Sequence, residues 1–272
     1  MSRLSRAALP DGRQVYCTHR DEVRGVAGQI ELYLRHDIAI NAGDCVMDVG
    51  ANIGLFALEA ARRGAHVHAF EPMPATFSAL DANTKSANAR ALSDAQIHAH
   101  NLALGADAGL ATFAYFRWMS SLSTRFPDWI QNNAAPGVTA VLDDEALSPR
   151  FGWFRRAPDW LRRALVSGVV QTLLRPRPVS CRVETLSRVV YALHIGAIDL
   201  LKIDVEGAEW DVLRGIGPND WPRIRQVVAE VHDEDGRVAR VEALLRDQGF
   251  TVTSEPEPQS AAWGVWLVWA RR

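Results

Sequence analysis

Residues 45–54 read Cys-Val-Met-Asp-Val-Gly-Ala-Asn-Ile-Gly, and a helical pattern, Leu-Phe-Ala-Leu-Glu-Ala-Ala, follows at 55–61. A short apolar run that ends in a glycine-bracketed turn and passes directly into a helix is a buried strand folding back over itself. Gly50 permits the turn and Gly54 permits close approach of the helix or of a ligand. Such a strand–turn–helix unit leaves backbone N–H groups and a positive helix end facing a crevice, and this constrains the chain more than any other feature.

The same alternation recurs along the chain. Strands are predicted at 46–49, 66–70, 96–104, 197–205, 226–231, 250–253 and 263–269, with an extra strand at 111–116. Helices are predicted at 55–63, 75–88, 185–193, 206–214 and 237–247. Alternating strands and helices imply a mostly parallel α/β sheet of seven strands with helices on both faces. No helix separates the last two strands, so one of them runs antiparallel. With 272 residues and 48% hydrophobic composition, the chain suits one large domain. Its expected parts are a lead-in and helical cap at 1–40, a cofactor-binding half at 41–116, an insertion acting as a lid at 117–182, and the rest of the sheet at 183–272. Residues 1–25 are polar and turn-rich, which predicts a loosely held start. The segment 150–177 carries seven Arg against one Asp, a local charge of +6 in a chain whose net charge is −2.

Bulk properties exclude several classes. The near-neutral charge argues against general nucleic-acid binding. Three scattered cysteines imply a reducing compartment with neither a disulfide framework nor a zinc cluster. Apolar runs fall short of the roughly 18 residues of a membrane span, and the basic N-terminus has no apolar core behind it. A cytoplasmic protein is expected.

In an open α/β sheet, ligands bind beyond the carboxyl ends of the strands. Here those ends carry Asp48, Glu71-Pro72, Asp204 and Glu230-Val231-His232. A dinucleotide would require Gly-x-Gly-x-x-Gly. The spacing Gly50-x-x-x-Gly54 lacks the middle glycine, and Asp48 would repel a pyrophosphate while attracting the ammonium or sulfonium of S-adenosylmethionine (SAM). Glu71 suits the ribose hydroxyls of either cofactor. The expected SAM contacts are Asp48, Gly50, Ala51, Asn52, Gly54, Glu71, Pro72, Asn101 and Asp204. A NAD-dependent oxidoreductase and a binding module without chemistry are the competing readings.

The segments Asp48-Val-Gly-Ala-Asn-Ile-Gly54, Phe70-Glu-Pro72 and Leu200-Leu-Lys-Ile-Asp-Val-Glu-Gly-Ala-Glu209 strongly resemble the FkbM family of SAM-dependent methyltransferases. The resemblance covers roughly residues 30–255. Residues 221–237 and Phe116-Arg-Trp-Met-Ser-Ser-Leu-Ser-Thr124 are similar to the O-methyltransferase domains of polyketide synthases and hybrid peptide synthetases, although Ser120-Ser121-Leu122 stands where such domains often carry Pro-Gly-Asn. The resemblance implies a Rossmann-like class I fold and methylation of a natural-product hydroxyl, on a small molecule or on a chain tethered to an acyl-carrier protein.

Oxygen methylation needs a proton acceptor. His232 is the expected base, with Glu230 on the same strand face to orient it, and Asp204 assists at the cofactor or the substrate. Asp204, Glu206, Glu230 and His232 also allow a metal-assisted variant with a divalent ion. On the substrate side stand Tyr33, His36, Ser120, Ser121, Arg155 and Arg156. Together with Arg162 and Arg163, the last two suit the phosphate of a carrier-bound substrate.

Overall fold

The computed structural model describes residues 4–20, 22–90, 94–117, 123–127, 135, 138–139, 142–143, 152–173, 175–258, 260 and 263–272. Seven strands form the central sheet: β3 (Cys45–Val49), β4 (His66–Phe70), β5 (Ile97–His100), β9 (Leu200–Ile203), β10 (Gln226–His232), β11 (Thr251–Pro256) and β12 (Val265–Arg271). Their spatial order is β11-β12-β10-β9-β3-β4-β5. Neighbours from β10 to β5 pair in parallel. Only β12 is reversed, lying antiparallel to both β10 and β11, as the absence of a helix before it requires.

One face of the sheet packs on α6 (Leu186–Ala192), α7 (Glu209–Arg214) and α8 (Arg237–Asp247) through Leu186, Val190, Val212, Leu213, Val241 and Leu245. The other packs on α1 (Glu22–Tyr33), α2 (Leu55–Arg62) and α3 (Pro74–Asn88) through Tyr33, Phe56, Ala57 and Leu80. The central strands β3 and β9 are covered on both faces and apolar apart from Asp48 and Lys202.

Three features depart from the reading of the sequence. The start of the chain is not loosely held. Strands β1 (Ser5–Ala8) and β2 (Gln14–Cys17) form an antiparallel hairpin. Asn83 on α3 clamps it, accepting from the Tyr16 amide at 2.7 Å and donating to the Tyr16 carbonyl at 2.9 Å. Val15 and Cys17 are buried beneath it, and a turn-rich composition does not reveal two such inward positions. The predicted strand 96–104 is broken at Asn101, and β6 (Ala103–Leu104) leaves the main sheet. Finally, β8 begins at Pro176, inside the predicted insertion: β7 (Gly109–Phe116) and β8 (Pro176–Glu184) pair antiparallel from Gly109–Val183 to Phe116–Pro176. Pro176 and Pro178 hide this strand in the sequence. They are tolerated because β6 pairs β8 only at Val183 and Glu184, beyond both prolines.

Two contacts fix the geometry at the sheet centre. Gly50 has φ +77°, and a Cβ there would lie 1.7 Å from the Asp204 carbonyl oxygen. The first turn therefore rests directly on the end of β9. Asp48 and Lys202 are register partners on β3 and β9, and Lys202 Nζ stands 3.1 Å from Asp48 Oδ1. Asp48 is 0% and Lys202 3% exposed. Burial pushes the Asp48 carboxyl up, with Lys202 opposing. Burial alone would lower the Lys202 ammonium, but Asp48 and Asp204 outweigh it and hold the lysine charged.

Lys202→Met leaves a buried carboxylate without its counter-charge and is expected to cost about 3–5 kcal/mol in urea unfolding. Adding Asp48→Asn should restore part of that loss, and strictly additive losses would refute the pairing. Gly50→Ala is expected to cost well above the ~1–2 kcal/mol of a left-handed alanine. Gly236→Ala, at φ +73° with open space around it, should cost only that amount. Equal losses would show that contact with Asp204 is not what fixes glycine at position 50.

Candidate active site

The turn after β3 holds its own amides. Gly50 and Ala51 N–H both donate to the Phe70 carbonyl, at 3.0 and 2.9 Å, and Gly54 N–H donates to the Ala51 carbonyl at 2.8 Å. Asn52, at φ +52°, donates to Glu71 Oε2 at 3.1 Å. These amides are thus satisfied within the protein and are not displayed to an anion, which is the physical difference from a pyrophosphate cradle. Asp48 is corrected on the same ground. It is fully buried against Lys202 and acts on the crevice only through the lysine. Lys202 also donates to the Gly50 carbonyl at 2.9 Å and lies 3.4 Å from Asp204 Oδ2.

Glu71 closes this part of the site. Its Oε1 accepts from Met73 N–H at 2.8 Å and its Oε2 from Asn52 N–H. Burial raises its pKa to about 7, against the pull of those two amides. Each carboxylate oxygen retains a further lone pair, acceptor capacity that the vicinal hydroxyls of a ribose fit. Asn101 contributes indirectly: its side-chain amide donates to the Glu71 and Pro72 carbonyls at 2.9 and 3.0 Å and fixes that corner.

Beyond β9 and β10 lie two linked polar clusters. In the first, Tyr33 Oη on α1 is 3.1 Å from Asp204 Oδ2 and 3.2 Å from Glu230 Oε2. Gln29 approaches Glu230 at 3.5 Å. Burial, then the Asp204 charge, push the Tyr33 phenol well above its usual range. Burial, then Asp204 and Glu206, do the same to the Glu230 carboxyl. Asp204 does not cap a helix, because α7 starts only at Glu209.

In the second cluster, His232 is 2% exposed. Its Nδ1 faces Glu209 Oε1 at 3.0 Å and its Nε2 faces Glu206 Oε2 at 3.2 Å. Glu209 is in turn 3.5 Å from Arg237, which donates to the His232 carbonyl at 3.1 Å. Burial alone would lower the His232 pKa, but Glu209 and Glu206 raise it well above the ordinary value. The expected partnership is corrected here: the carboxylates that hold the imidazole are Glu209 and Glu206, while Glu230 turns to Tyr33. Of the three, Glu206 is the outermost, 15% exposed against 0% for Glu209. It has φ +52°, a strained backbone for a non-glycine residue. Its carbonyl accepts from the hydroxyl of buried Thr124, which lies just after β7.

Other expected residues lie elsewhere. His36 pairs with Glu255 at 3.1 Å and packs on Trp269, away from both clusters. Ser120 and Ser121 lie outside the described residues. Arg155 ends α4 (Gly152–Arg155) and donates to the Leu142 carbonyl at 3.4 Å. Arg162, on α5 (Asp159–Leu173), is ion-paired with Asp143 and sits over Phe154. Only Arg156 and Arg163 of those four are exposed. Among the described residues no three His, Cys, Asp or Glu side chains form a preformed metal site, and no helix is long and apolar enough to cross a membrane. Lys202, Glu209 and Thr124 escaped the sequence reading. A lone lysine within the apolar run 197–205 was the available signal for the first.

Residues 48–252 match the Methyltransferase FkbM domain. The chain is 37% identical over 269 residues to 31-O-demethyl-FK506 methyltransferase FkbM of Streptomyces tacrolimicus, covering 97% of this chain and 95% of that protein. It is 33% identical to methyltransferase sdnD of Sordaria araneosa, covering 83% of this chain and 82% of that protein. It is also 30% identical to the AMB antimetabolite synthetase AmbE of Pseudomonas aeruginosa, over 90% of this chain but only 11% of that protein. These matches lead to one conclusion: the chain belongs to the FkbM family and is a SAM-dependent methyltransferase.

Proposed function

We propose that this enzyme methylates a hydroxyl oxygen of a polyketide- or peptide-like natural product. The observation that carries the reading is the Glu206–His232–Glu209 line at the ends of β9 and β10. The S. tacrolimicus relative, whose name specifies an oxygen acceptor, supports it.

SAM supplies an electrophilic methyl group when bound. Glu71 and the 50–54 turn would hold its ribose side, and Asp204, whose side chain is 20% exposed, would hold its ammonium. The acceptor hydroxyl must lose a proton as its oxygen is alkylated. Glu206, whose Oε2 is held by His232 at 3.2 Å, would take that proton on its other carboxylate oxygen. The charged His232 behind it restrains the Glu206 carboxyl, which burial raises, and passes the load through Nε2. Buried Glu209, held below its usual pKa against the effect of burial by His232, fixes the ring through Nδ1. His232 therefore serves as the charged middle of a relay, not as a free base. Tyr33 and Glu230 border the same edge and shape the acceptor side. Methylation of a free small molecule fits the end-to-end match with the S. tacrolimicus protein. Carrier-bound presentation is the alternative, and side-by-side assays of free and carrier-tethered hydroxyacyl acceptors separate the two.

Glu206→Gln and His232→Gln are each expected to lower kcat by about 100-fold or more, measured as labelled methyl transfer to a panel of hydroxylated acceptors. Binding of demethylated SAM by calorimetry should stay within about threefold of wild type. Turnover that survives both substitutions would remove the relay. The raised pKa also sets a pH signature. A histidine with a folded pKa above its unfolded value, near 6.5, adds stability that is full below that value and is lost as pH rises through the folded pKa. The stability gap between wild type and His232→Gln should therefore be widest below about pH 6.5 and shrink towards alkaline pH; a gap that widens would refute the assignment.

A further inference from the structure

Four of the eight histidines stand outside the active site on one face of β4 and β5. They form two His-x-His segments, His66-Val67-His68 and His98-Ala99-His100. Side chains two apart share a strand face, and the register sets His68 opposite His98 and Phe70 opposite His100. The intervening Val67, Ala69, Ile97 and Ala99 point to the opposite face, into the core against α2 and α3. On the histidine face β5 is the edge strand, and His98 is exposed while His66, His68 and His100 are half-buried. The rings form a layer: His68 stacks on His98 and on His100, with centroids at 5.2 and 5.5 Å, and His100 stacks on Phe70 at 4.7 Å.

The closest approach is between two nitrogens, His68 Nδ1 and His100 Nε2, at 3.2 Å. Two imidazole ligands at ~2.0–2.1 Å from a tetrahedral ion lie about 3.3 Å apart. We propose that His68 and His100 clamp a divalent transition-metal ion of the zinc, nickel or copper type, with His98 or water completing its shell. The ligand chemistry is borderline-soft imidazole nitrogen without carboxylate, which selects these ions over magnesium or calcium. Binding needs neutral rings. Burial, then the neighbouring histidines, lower the His68 pKa to about 4, and burial, then His98, lower that of His100, so no proton has to be expelled near pH 7. The ring that now donates in the N–H···N contact moves its proton to its other nitrogen and turns its freed lone pair to the ion. Two protein nitrogens already face each other, and the third donor is recruited on binding, which is how this clamp differs from a preformed cage.

The site lies directly below the cofactor edge. Glu71 N–H donates to the His100 carbonyl at 3.1 Å, but the histidine side chains are not part of the methyl-donor site. The test uses untagged, chelator-stripped full-length protein titrated with Ni²⁺ and Zn²⁺ against a chromophoric chelator at pH 7.5. One equivalent bound at micromolar Kd is expected. His68→Gln and His100→Gln should each weaken binding at least tenfold, His194→Gln should leave it unchanged, and thermal stabilisation by demethylated SAM should persist in all three. Should either clamp variant fail to fold, the electron paramagnetic resonance spectrum of the wild-type Cu²⁺ complex decides, since two or more coupled nitrogens are required. No stoichiometric binding, binding indifferent to His68 and His100, or a copper spectrum with one nitrogen would each overturn the proposal.

Discussion

The Asp48–Lys202 pair ties the two halves of the site together. Charges on adjacent strands of a closed sheet core are costly to desolvate, and a buried ion pair seldom adds net stability over apolar residues of the same size. Its value here is positional. One ammonium meets Asp48 on β3, the carbonyl of Gly50 in the first turn, and Asp204 at the mouth of β9. Through Asp204 the same charge reaches Tyr33 and then Glu230. The first turn and the polar cluster beyond β9 and β10 are thus set relative to each other by a single buried side chain.

Periodicity carried the sheet. Val46, Met47, Leu200 and Leu201 are fully buried, and such apolar runs announce themselves because each buried large side chain is worth about 1.5–3 kcal/mol. The reversed last strand followed from connectivity alone. Failures came where local composition misleads. Prolines concealed β8, and a polar hairpin with two inward residues looked like a tail. The strand-end positions of Glu71 and Asp204 were legible because acids that close apolar runs are conspicuous. Which carboxylate holds His232 was not, since Glu230 is close in sequence while Glu209 and Glu206 arrive from another element after a turn with positive φ at both Glu206 and Gly207. Pairing across elements has no one-dimensional signature.

One residue type takes opposite charge states within this sheet. His232 lies between two carboxylates and is held protonated, whereas His68 lies among other imidazoles and is held neutral. Burial favours the neutral ring in both cases, so the sign is decided by neighbours. The protonated ring belongs between two acids. The neutral rings belong beside a Lewis acid.

The long ladder between β7 and β8 has a consequence for how such an enzyme diversifies. Phe116 and Pro176 are register partners, so the excursion between them leaves and re-enters the fold at neighbouring points. The entropy of closing a loop grows only logarithmically with its length, and here the base is already stapled by paired strands. Changes in the excursion's length are therefore borne at its stapled base, while Thr124, which lies within it, stays tied to the Glu206 carbonyl just after β9.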